Sequence, residues 1–295
     1  MIRYEPAIDL ETISAIDVHV HIEVDRHGRT SLPDDLSSAA SEYFSIDGPR
    51  PDLDSVAKYY RERRMAAVVF TVGATTQLGH TGIFSEEIAE GAAHNNDVLI
   101  PFGSVDPRLG AAAVDRARRL IDDYGVRGFK FHPPLQGFDP SDETHHALYG
   151  LLEGAGVIAL FHTGQTGIGA GLRGGRGLRL GLSNPMLLDP VAADFPDLQI
   201  IMAHPSVPWQ DEALSVTTHK PNTWIDLSGW SPKYFPENLV SHANSLLRSR
   251  ILFGSDFPLL TPERWMRDAE KTSLKPEVMP GILKDNAARL LGLAD

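Results

Sequence analysis

The sequence predicts an α/β fold, a single (β/α)8 barrel domain over residues 1–295, and three observations predict it. Eight short, β-branched apolar runs recur along the chain, segments of helical periodicity separate them, and polar residues collect at the C-terminal ends of the runs. Strands alternating with helices imply parallel pairing, and eight such units close into a barrel. An open doubly wound sheet is the rival, yet no glycine-rich dinucleotide fingerprint follows the first run.

The runs come in order. AIDVHVH ends at His21, and AAVVFTV ends at Val72 after the helical segment DLDSVAKYYRERRM. VLIPFGSV ends at Val105 after SEEIAEGAAHNN, and VRGFKFH ends at His132 after AAAVDRARRLIDDYG. VIALFHT ends at Thr163 after DETHHALYGLLEGAG. LQIIMAH, TWIDLS and ILFGSD follow, ending at His204, Ser228 and Asp256. Two connections are long: residues 22–52 after the first strand, and GQTGIGAGLRGGRGLRLGLSNP after the fifth. Both leave from C-terminal ends, the face on which barrel enzymes place their chemistry, and loops of this length are more often lids than filler.

Composition excludes several classes. A formal net charge of −12 argues against a nucleic-acid-binding surface. No stretch approaches the roughly 18 apolar residues of a membrane span. MIRYEPAIDLETIS lacks the basic start and apolar core of a secretory signal, so a cytoplasmic enzyme is expected. With no cysteine, any metal must be held by His, Asp, Glu or a modified Lys.

The expected strand ends carry such groups: His21, His132, His162, His204 and Asp256, with His19 and Lys130 two residues earlier on the same faces as His21 and His132. Taken singly, each histidine reads as a structural residue. Taken together, they would converge on one mouth of the barrel, and a metal centre explains the coincidence. Imidazole and carboxylate suit zinc, manganese or iron, and an open coordination position allows a bound water to become a nucleophile near neutral pH.

DVHVH, LFHTG, MAHP and FGSD, in this order on successive strands, resemble the amidohydrolase superfamily of metal-dependent barrels. The resemblance spans nearly the whole chain, down to KDNAARLLGL, and is closest to the branch that includes aminocarboxymuconate-semialdehyde decarboxylase and γ-resorcylate decarboxylase. It implies one divalent ion, zinc before manganese or iron, held by His19, His21, His162 and Asp256, with His204 as acid or base. Binuclear relatives carry a carboxylated lysine where Lys130 stands, so Lys130 and His132 are candidates for a second ion or for substrate; Lys130 could also pair with Asp106.

The resemblance implies two reactions. One is hydrolysis of a lactone, ester or β-ketoacyl-CoA by activated water, with Asp256 shuttling a proton; some relatives are 4-hydroxyphenyl-β-ketoacyl-CoA hydrolases. The other is non-oxidative decarboxylation of an aromatic or muconate-type acid. A non-catalytic metal-binding barrel is the third reading, disfavoured because every ligand type is kept. Arg173, Arg176 and Arg179 in the glycine-rich fifth loop are expected to grip an anionic small-molecule substrate, or else to form a solvated lid. Trp209 and Trp230 are expected to wall an aromatic pocket, or else to serve packing or an interface; a homodimer is compatible with these residues.

Overall fold

Alternation along the strands sorts the core of the computed structural model, which describes residues 2–46 and 50–294, into two layers. One residue in two points inward: Ile16, Val18, Val68, Ile100, Leu160, Ile201 and Leu252 form one apolar cluster. The intervening residues, such as Val69, Phe129, Phe161 and Met202, pack outward against helix residues Val56, Tyr60, Ile88 and Leu120. Such a division is what a closed sheet wrapped in helices requires.

The strands are β1 (Ala15–His21), β2 (Met65–Phe70), β3 (Leu99–Gly103), β4 (Gly128–Phe131), β5 (Ile158–His162), β6 (Ile200–Ala203), β7 (Thr223–Asp226) and β8 (Ile251–Leu252). They pair in sequence order, every pair parallel, as expected for a (β/α)8 barrel. Beyond β8 the chain returns to β1, with Val18 N donating to Phe253 O (3.0 Å), Asp256 N to His19 O (3.0 Å) and His21 N to Phe257 O (2.8 Å). The last helix, Asn286–Leu290, sits under the barrel, where Ala287, Ala288 and Leu291 join the inner cluster with Ile13.

The expected helices form where the periodicity places them, at Leu53–Glu62, Ser85–His94, Ala111–Asp122 and His146–Gly154. Asp52 caps the first, its side chain accepting from Ser55 N at 2.9 Å. Several strands are shorter than the sequence suggests. β4, β6 and β8 stop before His132, His204 and Asp256. The reason is conformational for two of these: His204 (φ 73°) and Asp256 (φ 71°) take left-handed backbone, which cannot continue a ladder.

Both long connections are present. The first carries helix Asp34–Phe44, and part of it, residues 47–49, lies outside the described residues. The second folds into short 3-10 turns at Arg173–Gly177, Leu180–Ser183 and Pro185–Leu188. Leu36 of the first helix is fully buried against Val72, Ala74 and Leu135, with Ile168 and Leu172 of the second connection packed on them. Among the described residues, no helix is long and apolar enough to cross a membrane.

Candidate metal centre and active-site cavity

His19 and His21 reach the barrel mouth by way of an irregularity in β1. The register with β2 shifts between Asp17 and Val20, so Val18 and then His19 both face inward, while Asp17 faces the helices and accepts from Tyr60 Oη at 2.7 Å. The two imidazole rings lie 5.2 Å apart. His21 Nε2 is 3.2 Å and His19 Nε2 3.4 Å from Asp256 Oδ1. One ligand atom from each of these three residues falls within 4.8 Å of the others.

Lys130 and His162 arrive by simple parity from β4 and β5, alternating with outward Phe129, Phe131 and Phe161. Lys130 Nζ stands 3.2 Å from His19 Nε2 and 5.1 Å over the Phe70 ring. It does not pair with Asp106, whose carboxylate instead accepts from Thr76 N (2.8 Å) and Arg108 N (3.1 Å). His132 stacks on His162, with centroids 3.9 Å apart and planes 5° from parallel. His204 is turned inward by its left-handed backbone, because Ala203, the residue before it, already faces in. Its Nε2 lies 3.0 Å from His162 Nδ1. Of the four expected ligands, three therefore converge directly, and His162 stands beside them with His204.

Burial decides the charge states. It pulls His19 down to about 3, with Lys130 adding to the effect and Asp226 opposing it. It also drives His132 and His162 well below the usual imidazole range and brings Lys130 down to about 7. For Asp256 burial opposes ionisation, but contact with His21 and the nearby His19 and His204 outweigh it and hold the carboxyl far below its ordinary value. Neutral imidazoles around an ionised carboxylate are the protonation states a divalent cation takes as ligands.

The fit to a cation can be tested on unpaired atoms. Asp256 Oδ1 and His162 Nε2 are buried without a hydrogen-bond partner. His21 Nε2, though 3.2 Å from Asp256 Oδ1, is not aligned to donate to it. Since His19 Nδ1 donates to the Asp226 carboxylate at 2.9 Å, His19 Nε2 carries a lone pair, and it faces that same oxygen. Bare acceptors buried side by side are unfavourable unless a cation joins them. The residues fit a metal ion.

Over this floor lies a cavity of about 350 Å³, near the small end of ligand pockets. Leu32, Tyr43, Phe44, Trp230 and Tyr234 supply apolar and aromatic wall; Lys130, His132, His162, His204 and Asp256 face it from below. Trp230 is thus in the wall, and Trp209 is not. None of the three loop arginines lines it. Arg176 is tied to Asp35 (2.6 Å), Arg179 borders a separate hollow with Arg108 and Gln77, and Arg173 is exposed. Their position contradicts a grip on a substrate held wholly within the cavity.

Sequence reading missed four contributors. Asp226 and Ser228 stand behind His19 and His204, and the alternation Trp224, Asp226, Ser228 within TWIDLS was the available signal. Glu23, partnered by Arg50 at 2.5 Å, lines the cavity two residues beyond His21. Gly229 (φ 73°) has no room for a side chain, since a Cβ would lie 2.6 Å from His204 Nδ1.

The family model described as Amidohydrolase matches residues 16–293. Among solved structures, an uncharacterised TIM-barrel protein from Bordetella bronchiseptica is 21% identical, with 94% of this chain and 98% of that one covered and a TM-score of 0.74. The 2,6-dihydroxybenzoate decarboxylase from Rhizobium is 16% identical over 95% and 99%, with a TM-score of 0.67. A protein described as a probable 2-pyrone-4,6-dicarboxylic acid hydrolase from Acinetobacter baumannii is 15% identical over 95% and 100%, with a TM-score of 0.59. At these identities the likeness is one of fold. No curated protein matches the sequence. The match over almost the whole barrel places the chain in the amidohydrolase family.

Proposed function

We propose that this enzyme holds one divalent transition ion, zinc before manganese or iron, on His19, His21, His162 and Asp256, and hydrolyses a small, flat carbonyl compound such as an aromatic ester or lactone. The observation that carries the reading is the pair of buried unpartnered atoms, Asp256 Oδ1 and His162 Nε2, with the unprotonated His19 Nε2 beside them in contact with Lys130, under an aromatic-walled cavity. When bound, such an ion supplies Lewis acidity and brings the pKa of a water molecule near neutrality.

The chain supplies the rest. Asp256 accepts the proton of the attacking water. Lys130 stands where it can contact a reacting carbonyl or, once carboxylated, a second ion. His204, with its Nε2 against His162, is the acid or base behind the ligand set. Trp230, Tyr43 and Phe44 pack a flat substrate and exclude water.

Apart from the proposed ion, which would attract a carboxylate as well as a carbonyl, the floor is short of cations, and on that ground hydrolysis is put before decarboxylation. Among the described lining residues, the cationic side chains are Lys130, whose charge burial weakens, and Arg264, which is exposed. A substrate carboxylate brought to the floor would meet Asp256 and Glu23 as well. A neutral carbonyl at the floor, with any anionic end directed outward to Arg264, fits better. A coenzyme A tail would extend beyond the cavity. Turnover in ¹⁸O-labelled water is the test: label in a product carboxylate is expected, while stoichiometric carbon dioxide with no label in the organic product would overturn hydrolysis in favour of decarboxylation.

A further inference from the structure

One buried carboxylate fixes the direction of every hydrogen bond among three histidines of this site. Asp226 is fully buried and, as a carboxylate, can only accept. Its Oδ2 takes the proton of His19 Nδ1 at 2.9 Å, which leaves His19 Nε2 bare. Its Oδ1 takes Ser228 N at 2.9 Å and the Ser228 hydroxyl in a short contact. Having given its only proton to Asp226, Ser228 Oγ can only accept, so His204 Nδ1, at 2.9 Å, must donate; the same oxygen lies 3.1 Å from His19 Nδ1, whose closer acceptor is Asp226. Neutral His204 then has a bare Nε2, and His162 Nδ1, 3.0 Å away, must donate to that. The chain ends at His162 Nε2, buried and unpartnered.

We propose that Asp226 and Ser228 are positioning residues that set the tautomers of His19, His204 and His162, so that two histidines present bare Nε2 atoms to the metal before it binds. Asp226 acts on His19 directly and on His162 through Ser228 and His204. The backbone serves the same arrangement: a Cβ at Gly254 would come 2.9 Å from Ser228 Cβ and 3.0 Å from His19 Cβ, and one at Gly229 would strike His204. These glycines let β7 and β8 bring the carboxylate and hydroxyl into line. Such hydrogen bonds behind a ligand typically change metal affinity about 10–100-fold.

The proposal rests on the metal reading above for its consequence, and its test separates the two. In metal-free protein, long-range ¹H–¹⁵N spectra of the histidine rings should report His19, His162 and His204 as neutral Nδ1–H tautomers. Ser228→Ala removes only the hydroxyl link. It should return His204 and His162 to mixed tautomers while His19, which loses a 3.1 Å contact but keeps its 2.9 Å bond to Asp226, stays an Nδ1–H tautomer, and it should weaken zinc binding about tenfold or more in competition with a chromophoric chelator. Asp226→Asn should disturb all three rings. If Asp226→Asn fails to fold, Ser228→Ala alone carries the decision. Unchanged tautomers in a folded Ser228→Ala protein would overturn the proposal, whatever its metal affinity. Altered tautomers with no zinc bound by either protein would leave the positioning role standing and sink the metal reading instead.

Discussion

Two glycines, one at the floor and one in the loop after β5, share a backbone conformation but not its surroundings. Gly229 and Gly177 both adopt left-handed φ, 73° and 77°, but a Cβ at Gly229 meets His204 and Asp256, while one at Gly177 meets open space. Gly177→Ala should therefore cost only the strain of that conformation, about 1–2 kcal/mol in urea unfolding. Gly229→Ala adds a clash of about 1–3 kcal/mol and pushes His204 off Ser228, so turnover should fall with stability. Equal costs, with activity kept in both, would show that the His204 contact is dispensable. The two inner histidines should separate as well. His204→Asn removes no expected ligand, though it shortens the side chain away from His162, and should retain metal while losing turnover on the order of a hundredfold. His162→Asn should lose both. Equal loss of metal from both variants, measured by elemental analysis, would make His204 a ligand.

At the scale of elements, parity made most of the site legible, and departures from parity hid the remainder. Lys130, His162, Asp226 and Ser228 follow plain alternation, and the last two could have been read from TWIDLS. His19 and His21 were legible as a pair, though not the shift in β1 that lets Val18 face inward too. Alternation from Ala203 would have sent His204 outward, because a left-handed turn at a non-glycine residue leaves no compositional mark. The arginine loop lacks periodicity altogether, so nothing in it revealed where the side chains go. Arg176 joins the two mouth connections through Asp35, an ion pair open to solvent and screened by it, so it adds little to stability. Arg176→Ala should leave the melting temperature nearly unchanged and loosen helix Asp34–Phe44, seen as faster proteolysis of residues 22–52. Arg173→Ala and Arg179→Ala should do neither and should leave KM for a small substrate unmoved. A rise in KM in all three would restore the arginines as a substrate grip.

For the molecule as a whole, the barrel gathers acceptors that the described residues leave unpaired or weakly paired. Asp256 Oδ1 and His162 Nε2 are buried without partners, and His19 Nε2 has only a lysine whose own charge is weakened. Each unsatisfied buried group costs about 1–3 kcal/mol, so the folded state without metal is strained where the family chemistry is expected. The unfolded chain has no such assembled site, and a ligand that binds only the native state stabilises it by mass action, about 2.7 kcal/mol at a hundredfold excess over Kd. For a chain of this size that corresponds to roughly 4 °C. Protein purified without chelator should therefore carry one equivalent of transition metal, and its melting temperature should fall by about that amount after chelation and recover on adding zinc. Two equivalents, one of them lost in Lys130→Ala, would replace the single ion with a lysine-bridged pair. Identical melting curves for loaded and chelated protein would remove the metal from the floor of the barrel.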